Sequence, residues 1–230
     1  MTFYVVRQVN NMDIKLTHSY SSIKMYENCP KRYYHQRVMK EVQDTGSDAT
    51  KYGERVHSSL EHRLVDSKPL SDGTEKYEPL CKSIENMGGT LLAEQQLCLN
   101  ENLTPTGWWE KDAWLRSILD VLILIDDKAI VMDWKTGKRR PDFTQLQLFA
   151  LQVFKHYPKI KTVQSTFIWL KDMSMDSQTF KVNQTNLMWS DMLARIERIH
   201  QSVEHNNWPA KPSGLCGWCP AKNICEFARI

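Results

Sequence analysis

Two apolar runs, Leu119–Ile125 and Lys128–Met132, lie on either side of the dipeptide Asp126-Asp127. No other stretch restricts the fold as tightly. Two turn-forming residues between strand-like segments specify a tight β-hairpin, and a tight hairpin fixes the register of both its strands. With Ile125 opposite Lys128, Asp120 comes to lie directly across from Asp133. Directly opposed side chains have Cβ atoms about 4.5–5.5 Å apart, and like charges so placed repel unless something positive lies between them. A divalent cation resolves that conflict. Side chains alternate along a strand, so Lys135 leaves on the same side as Asp133, one step further on. A slip of one residue would turn Asp120 away and dissolve the arrangement.

Two carboxylates that hold a hard cation beside an ammonium are the parts needed to hydrolyse a phosphodiester. The metal lowers the pKa of a bound water and polarises the phosphoryl oxygen, while the lysine stabilises the developing negative charge. The bare triplet Asp133-Trp134-Lys135 is common at solvated strand ends and carries little by itself. Its weight comes from Asp120 on the neighbouring strand.

The chain has 230 residues, 41% of them hydrophobic, which is enough to bury a core. We read an α/β protein of one domain over 1–230. It comprises an N-terminal helix in 17–40, a core over 50–170, a long helix in 184–206 and a tail at 208–230. A formal charge of +3 is too small to argue for nucleic acid without local clustering. The most apolar segment, VLILI at 121–125, is far too short to cross a bilayer, and no secretory leader opens the sequence. The expectation is an intracellular, cytoplasmic protein with no membrane association, in which the sequons at Asn102 and Asn183 are chance.

Periodicity predicts strands near 91–99, 117–125, 128–135 and 162–170, and helices over Tyr52–Val65, 142–156 and 184–204. The last carries Met188, Met192, Ile196, Ile199 and Val203 as a core stripe. A helix from Ser19 to about Met39 includes CPKRYYHQR, where basic and aromatic residues interleave. Arg32 and Tyr33 are candidates there for phosphate and base contacts; the alternative has Tyr33 and Tyr34 packed inward. Trp108 and Trp109, with Trp114 nearby, are expected to line the core or the edge of the first strands, with stacking on unpaired bases as the alternative.

Cys216-x-x-Cys219-x₅-Cys225 in a chain without a leader points to metal or cluster ligation and not to disulfides. A tetrahedral zinc or a four-iron cluster needs a fourth ligand. The spacing leaves cluster, zinc and no metal open, with His205 one possible fourth ligand for zinc. Cys81 and Cys98 have no partner spacing and read as small buried hydrophobes.

Taken in order, Ser19-Tyr-Ser-Ser and Cys29-Pro-Lys-Arg-Tyr-Tyr, Gly53-x-x-x-His57, Glu94, Asp120, Asp133-Trp-Lys135-Thr-Gly, Gln145-x-x-x-Phe149 and the terminal cysteines resemble the RecB-type, Cas4-like branch of the PD-(D/E)xK nuclease superfamily over most of the chain. The resemblance implies a restriction-endonuclease-like core, a mixed central β-sheet flanked by helices, with a cysteine-ligated cluster at the C-terminal end. It implies His57, Asp120, Asp133 and the Trp134 carbonyl as ligands of Mg²⁺ or Mn²⁺, Lys135 as the catalytic lysine, and Gln145 as a DNA contact. Glu94 would support the metal shell from behind at most. Cys29 would join Cys216, Cys219 and Cys225 around a 4Fe-4S cluster, or zinc in its place, closing a loop of 187 positions. Two positions depart from the pattern: Phe149 stands where tyrosine is usual, and Ser117 where glycine often precedes the metal-binding acid. The implied function is a metal-dependent deoxyribonuclease, an exonuclease acting on DNA ends or single strands. The alternatives are a processing subunit dependent on a partner protein and a non-catalytic nucleic-acid-binding module; a homo-oligomer is a further possibility.

Overall fold

In the computed structural model, which describes residues 7–9 and 12–228, the elements follow in chain order. They are β1 (Arg7–Val9), β2 (Met12–Ile14), α1 (Tyr20–Asn28), α2 (Pro30–Tyr33), α3 (Asp48–Val65), α4 (Glu78–Glu85), β3 (Thr90–Leu99), β4 (Leu115–Ile125), β5 (Lys128–Lys135), α5 (Phe143–His156), β6 (Thr162–Trp169), β7 (Ser174–Lys181) and α6 (Thr185–Glu204). They form two compact units, Gly46–Trp189 and a second in which the chain up to Thr45 combines with Ser190 onward. Among the described residues no helix is long and apolar enough to cross a membrane.

Within Gly46–Trp189 the strands make one sheet of order β3-β4-β5-β6-β7. The Asp126-Asp127 turn sets the expected register, with Ile125 paired to Lys128 and the ladder running to Val121 and Met132. Asp126 takes a φ of +52°, which aspartate tolerates better than most residues. β5 pairs in parallel with β6, a geometry that requires a long connection, and α5 supplies it. β3 and β7 add antiparallel strands at the two edges, so the sheet is mixed and flanked by helices as the α/β reading expects. Val56, Leu60 and Leu64 of α3 and Leu80 and Ile84 of α4 pack with Val121, Ile123, Met132, Trp134 and Ile168 of the sheet. Each such buried aliphatic side chain contributes about 1.5–3 kcal/mol.

Asp142 caps α5 by accepting from the Thr144 N–H, and the helix is apolar nearly all round, with Leu146 and Leu148–Phe154 buried. β7 and α4 have no counterpart in the periodicity reading. Only Phe180 of β7 is buried, so this edge strand lacks the alternation that identifies a half-buried one. Its place is set by backbone pairing to β6.

In the second unit the single helix expected over 19–39 is broken. Ser19 caps α1 in a reciprocal pair with Ser22, but Cys29 is extended (φ −162°, ψ 104°) and Pro30 starts a new short helix. Proline disfavours the helical conformation in the residue before it and has no N–H to give back to the preceding turn. A wider π-type turn over Tyr34–Val38 completes the segment. Tyr33 is fully buried, with its ring stacked 6.1 Å from Trp208 and edge-on to Tyr26 at 5.7 Å. Tyr33 thus takes the inward-packed place that the alternative reading gives it. Arg32 donates to Gln36 and Asp44. Met192, Ile196, Ile199 and Val203 of α6 are buried as expected.

The tryptophans of the β3–β4 connection divide. Trp114 is buried and Trp109 is 85% exposed, so of the core or strand-edge places expected for these rings only Trp114 takes the core one.

Candidate active site

The β4–β5 ladder stops at Val121 and Met132, one residue short of the two acids. Beyond that point Asp120 takes the place of a ladder bond: its Oδ2 accepts from the Trp134 N–H at 2.6 Å. The β3–β4 ladder is interrupted at the same level. Ala93 pairs with Val121 and Gln95 with Leu119, leaving Glu94 in the gap opposite Asp120 with a φ of +47°. Positive φ is uncommon outside glycine and marks a local departure from strand geometry. By register, then, Glu94, Asp120 and Asp133 stand in one row across three adjacent strands.

Helix α3 adds an imidazole. His57 lies one turn after Gly53, where a Cβ would stand 3.1 Å from Thr136 Oγ1, so the missing side chain lets the helix approach the segment after β5. His57 Nδ1 is 3.3 Å from Asp120 Oδ1, and its Nε2 is 3.2 Å from the Trp134 carbonyl oxygen. His57, Glu94 and Asp120 each offer a donor atom, all within 4.8 Å of one another. Asp133 is engaged by other partners. Its Oδ2 is 2.5 Å from Lys135 Nζ, and its Oδ1 accepts from Gln145 Nε2 at 3.0 Å. Lys135 also donates to Gln145 Oε1 at 3.1 Å, so the amide bridges acid and lysine.

The electrostatics record a surplus of negative charge. Burial, with Asp120 and Glu61 adding repulsion, pushes the Glu94 carboxyl up to about 7. Burial and the Asp120 charge push Asp133 up to about 6, with Lys135 and His57 acting in opposition. Burial by itself would depress His57, yet Asp120, Asp133 and Glu94 prevail and hold its pKa above the ordinary value. Each of these shifts favours the protonated form, so this end of the sheet attracts protons. A divalent cation would displace them, as metal binding at deprotonated ligands does.

Glu94, expected to sit behind the metal shell at most, is thus among the three gathered donors, while Asp133 is joined to Lys135 and Gln145. No turn rule could have found the place of Glu94, because β3 and β4 are separated by the connection 100–114 and its length leaves the register open. Phe149, in place of the usual tyrosine, is buried.

A second set of donors lies in the other unit. Cys29, Cys216, Cys219 and Cys225 line one open pocket together with Arg32 and His35. Backbone N–H groups point at two of the sulfurs, Lys211 N to Cys29 Sγ at 3.5 Å and Ser213 N to Cys216 Sγ at 3.2 Å. The Cys-Pro break between α1 and α2 is what turns Cys29 out of the helix. None of the six cysteines is in a disulfide, and Cys81 and Cys98 are buried as expected.

A mixed sheet that splays at one end around carboxylates, an imidazole and a lysine defines the metal-assisted nuclease class of fold. The chain belongs to the PD-(D/E)XK nuclease superfamily, whose sequence signature matches residues 17–226. No curated protein matches it in sequence. Among solved structures, the protein SSO0001 is 14% identical and superposes with a TM-score of 0.51 over 96% of this chain and 91% of its own. A candidate exonuclease from Eubacterium rectale is 14% identical with a TM-score of 0.49, over 91% and 89%. LHK-Exo in complex with dAMP is 12% identical with a TM-score of 0.34, over 80% and 93%. At these identities the likeness concerns the fold.

Proposed function

We propose that the chain is a metal-dependent deoxyribonuclease of the RecB-type, Cas4-like branch, acting as an exonuclease on DNA ends or single strands. The observation that carries this reading is the meeting of the His57–Glu94–Asp120 donor group with the Asp133–Lys135–Gln145 cluster at one end of the sheet. The exonuclease mode follows the branch whose ordered motifs the sequence carries.

His57, Glu94 and Asp120 would hold Mg²⁺ or Mn²⁺, with Asp133 and the Trp134 carbonyl beside them. The bound ion supplies a water of lowered pKa and a Lewis acid for the phosphoryl oxygen. Lys135, held between Asp133 and Gln145, presents its ammonium where charge develops on the phosphate. Gln145 fixes that ammonium by donating to Asp133 and accepting from Lys135, so it acts on DNA through Lys135 first.

Cys29, Cys216, Cys219 and Cys225 would hold a 4Fe-4S cluster whose role is to tie the chain's two ends together within their unit. The four cysteines line one pocket, and the choice of cluster over zinc follows the branch whose ordered motifs the sequence carries. The pocket contains Cys29, whereas His205 is exposed near the end of α6.

The test is cleavage of end-labelled single- and double-stranded DNA by anaerobically purified protein with Mg²⁺, Mn²⁺ or EDTA, beside the Lys135→Ala variant. Metal-dependent degradation that disappears in the variant is expected, and the label reports its polarity. Tight binding without cleavage under every metal overturns the reading in favour of a binding module or a partner-dependent subunit.

A further inference from the structure

Trp108 and Trp109 lie in the connection 100–114, and Trp109 presents 85% of its surface to solvent. A tryptophan can bury some 150–250 Å², so a ring left bare forgoes much of the stabilisation available to it. The loop that carries it is well tied. The Asn100 side-chain oxygen accepts from the N–H groups of Asn102 and Thr104 at 3.0 and 3.1 Å, and the Thr106 hydroxyl donates to Asp112 at 2.7 Å. Backbone bonds from Thr106 to Cys98 and from Trp114 to Leu99, both 3.0 Å, fasten the loop to β3. The Trp109 indole is held outward by ordered backbone, with Trp108 half-buried beside it.

Arg116, near the start of β4, brings its guanidinium carbon to 5.1 Å from the Trp108 ring centre and 5.7 Å from that of Trp109. Both distances lie within cation–π range. Alternation along β4 places Arg116, Ile118 and Asp120 on one side of the strand. Their partners across β3 follow in step, Cys98 opposite Arg116, Gln96 opposite Ile118 and Glu94 in the gap opposite Asp120. Ile118 is itself 41% exposed, so open surface continues from the indoles toward the acid cluster.

We propose that Trp108, Trp109 and Arg116 form a base-stacking subsite for the unpaired strand of a DNA substrate, set along β4 from the reactive end of the sheet. The inference rests on the nuclease reading above and names the strand state of its substrate. Arg116 and Asp120 are four residues apart on β4, about 13 Å at ~3.3 Å per residue. That span corresponds to roughly two to four nucleotides, extended or stacked at ~3.4 Å each. Local charge favours the base over the phosphates. The connection 100–114 carries Glu101, Glu110 and Asp112 against Lys111, with Arg116 just after it, so its own charges supply no net positive field for a duplex backbone. An indole face, by contrast, accepts any base.

The test measures binding in the Lys135→Ala background, which removes cleavage from the readout. Fluorescence anisotropy would follow dye-labelled oligothymidylates of increasing length and a blunt duplex, each with Mg²⁺, for that protein and for the same protein carrying Trp109→Ala or Trp109→Phe. The expected result is that Trp109→Ala weakens strands long enough to reach both sites by about tenfold, as loss of one stacked base does. Dinucleotide and blunt-duplex affinity stay unchanged, Trp109→Phe recovers most of the loss, and the melting temperature does not move. Equal affinity at every length, or an equal loss on the blunt duplex, overturns the subsite and leaves the nuclease reading intact. Failure of the Lys135→Ala protein to bind DNA of any kind overturns both.

Discussion

The acid cluster and the cysteine pocket both gather metal-type donors, but they are assembled over different ranges of sequence. Asp120 and Asp133 come together on one hairpin, whose two-residue turn leaves almost no freedom of register. Cys29 reaches the terminal cysteines only when segments 187 positions apart fold against each other. The first site sits at one end of a five-stranded sheet and carries surplus negative charge. The second joins two remote stretches of one unit. Loss of a residue should therefore cost chemistry in the first and stability in the second.

The sharpest test of that contrast is Lys135→Ala. Cleavage is expected to fall by about 10²–10³-fold or more, as removal of a preorganised charge stabiliser does, with an unchanged melting curve and retained DNA binding. A large drop in melting temperature would instead make Lys135 part of what holds the sheet end together. Glu94→Gln comes next. Mn²⁺ affinity measured by calorimetry should weaken about 10–100-fold, the scale seen when the shell around a metal is disturbed. Asp133→Asn should weaken it less, because Asp133 is paired with Lys135 and Gln145; the reverse order would restore Asp133 as the main ligand.

Cys225→Ala should lose visible absorption and melt on the order of 10 °C lower, since opening a long crosslinked loop returns conformational freedom to the unfolded chain. Loss of absorption with an unchanged melting temperature would show that the pocket is not a staple. The last test concerns pH. Burial, reinforced by His200 and Arg37, pulls the His18 pKa down to about 3 from 6.5. The unfolded chain thus binds this proton more readily than the folded one, so stability is complete above pH 6.5 and is lost as pH falls toward 3. The slope from this group is at most about 1.4 kcal/mol per pH unit. Thermal melts from pH 7 to pH 4 should become shallower in their pH dependence with His18→Gln, and an unaltered dependence would remove His18 as the cause.

Much of the sheet was legible because its signals are local. β5 spans Lys128–Lys135, the limits expected of that strand, and α5 begins at Phe143, just after the Asp142 that caps it. The break at Cys29-Pro30 was legible in principle, since proline's effect on its predecessor is a nearest-neighbour property; the basic-aromatic run across it suggested one continuous helix. β7 was hidden because an edge strand with one buried side chain carries no period to detect. Glu94 was visible as an acid in a strand, but its partner depended on a pairing that no short turn dictates.

The chain's local chemistry thus sufficed for the β4–β5 register, for the placing of Asp120, Asp133 and Lys135 at one strand end, and for the cysteine spacing of the tail. Each of these depends on residues close in sequence, where little loop-closure entropy intervenes. Folding at long range decided that Glu94 joins His57 and Asp120, that Cys29 completes the cysteine ring, that Tyr33 is enclosed by Tyr26 and Trp208, and that Trp109 is left bare. Side-chain type sets only an average tendency to be buried. Which surfaces are covered depends on distant segments that must first be brought together and packed.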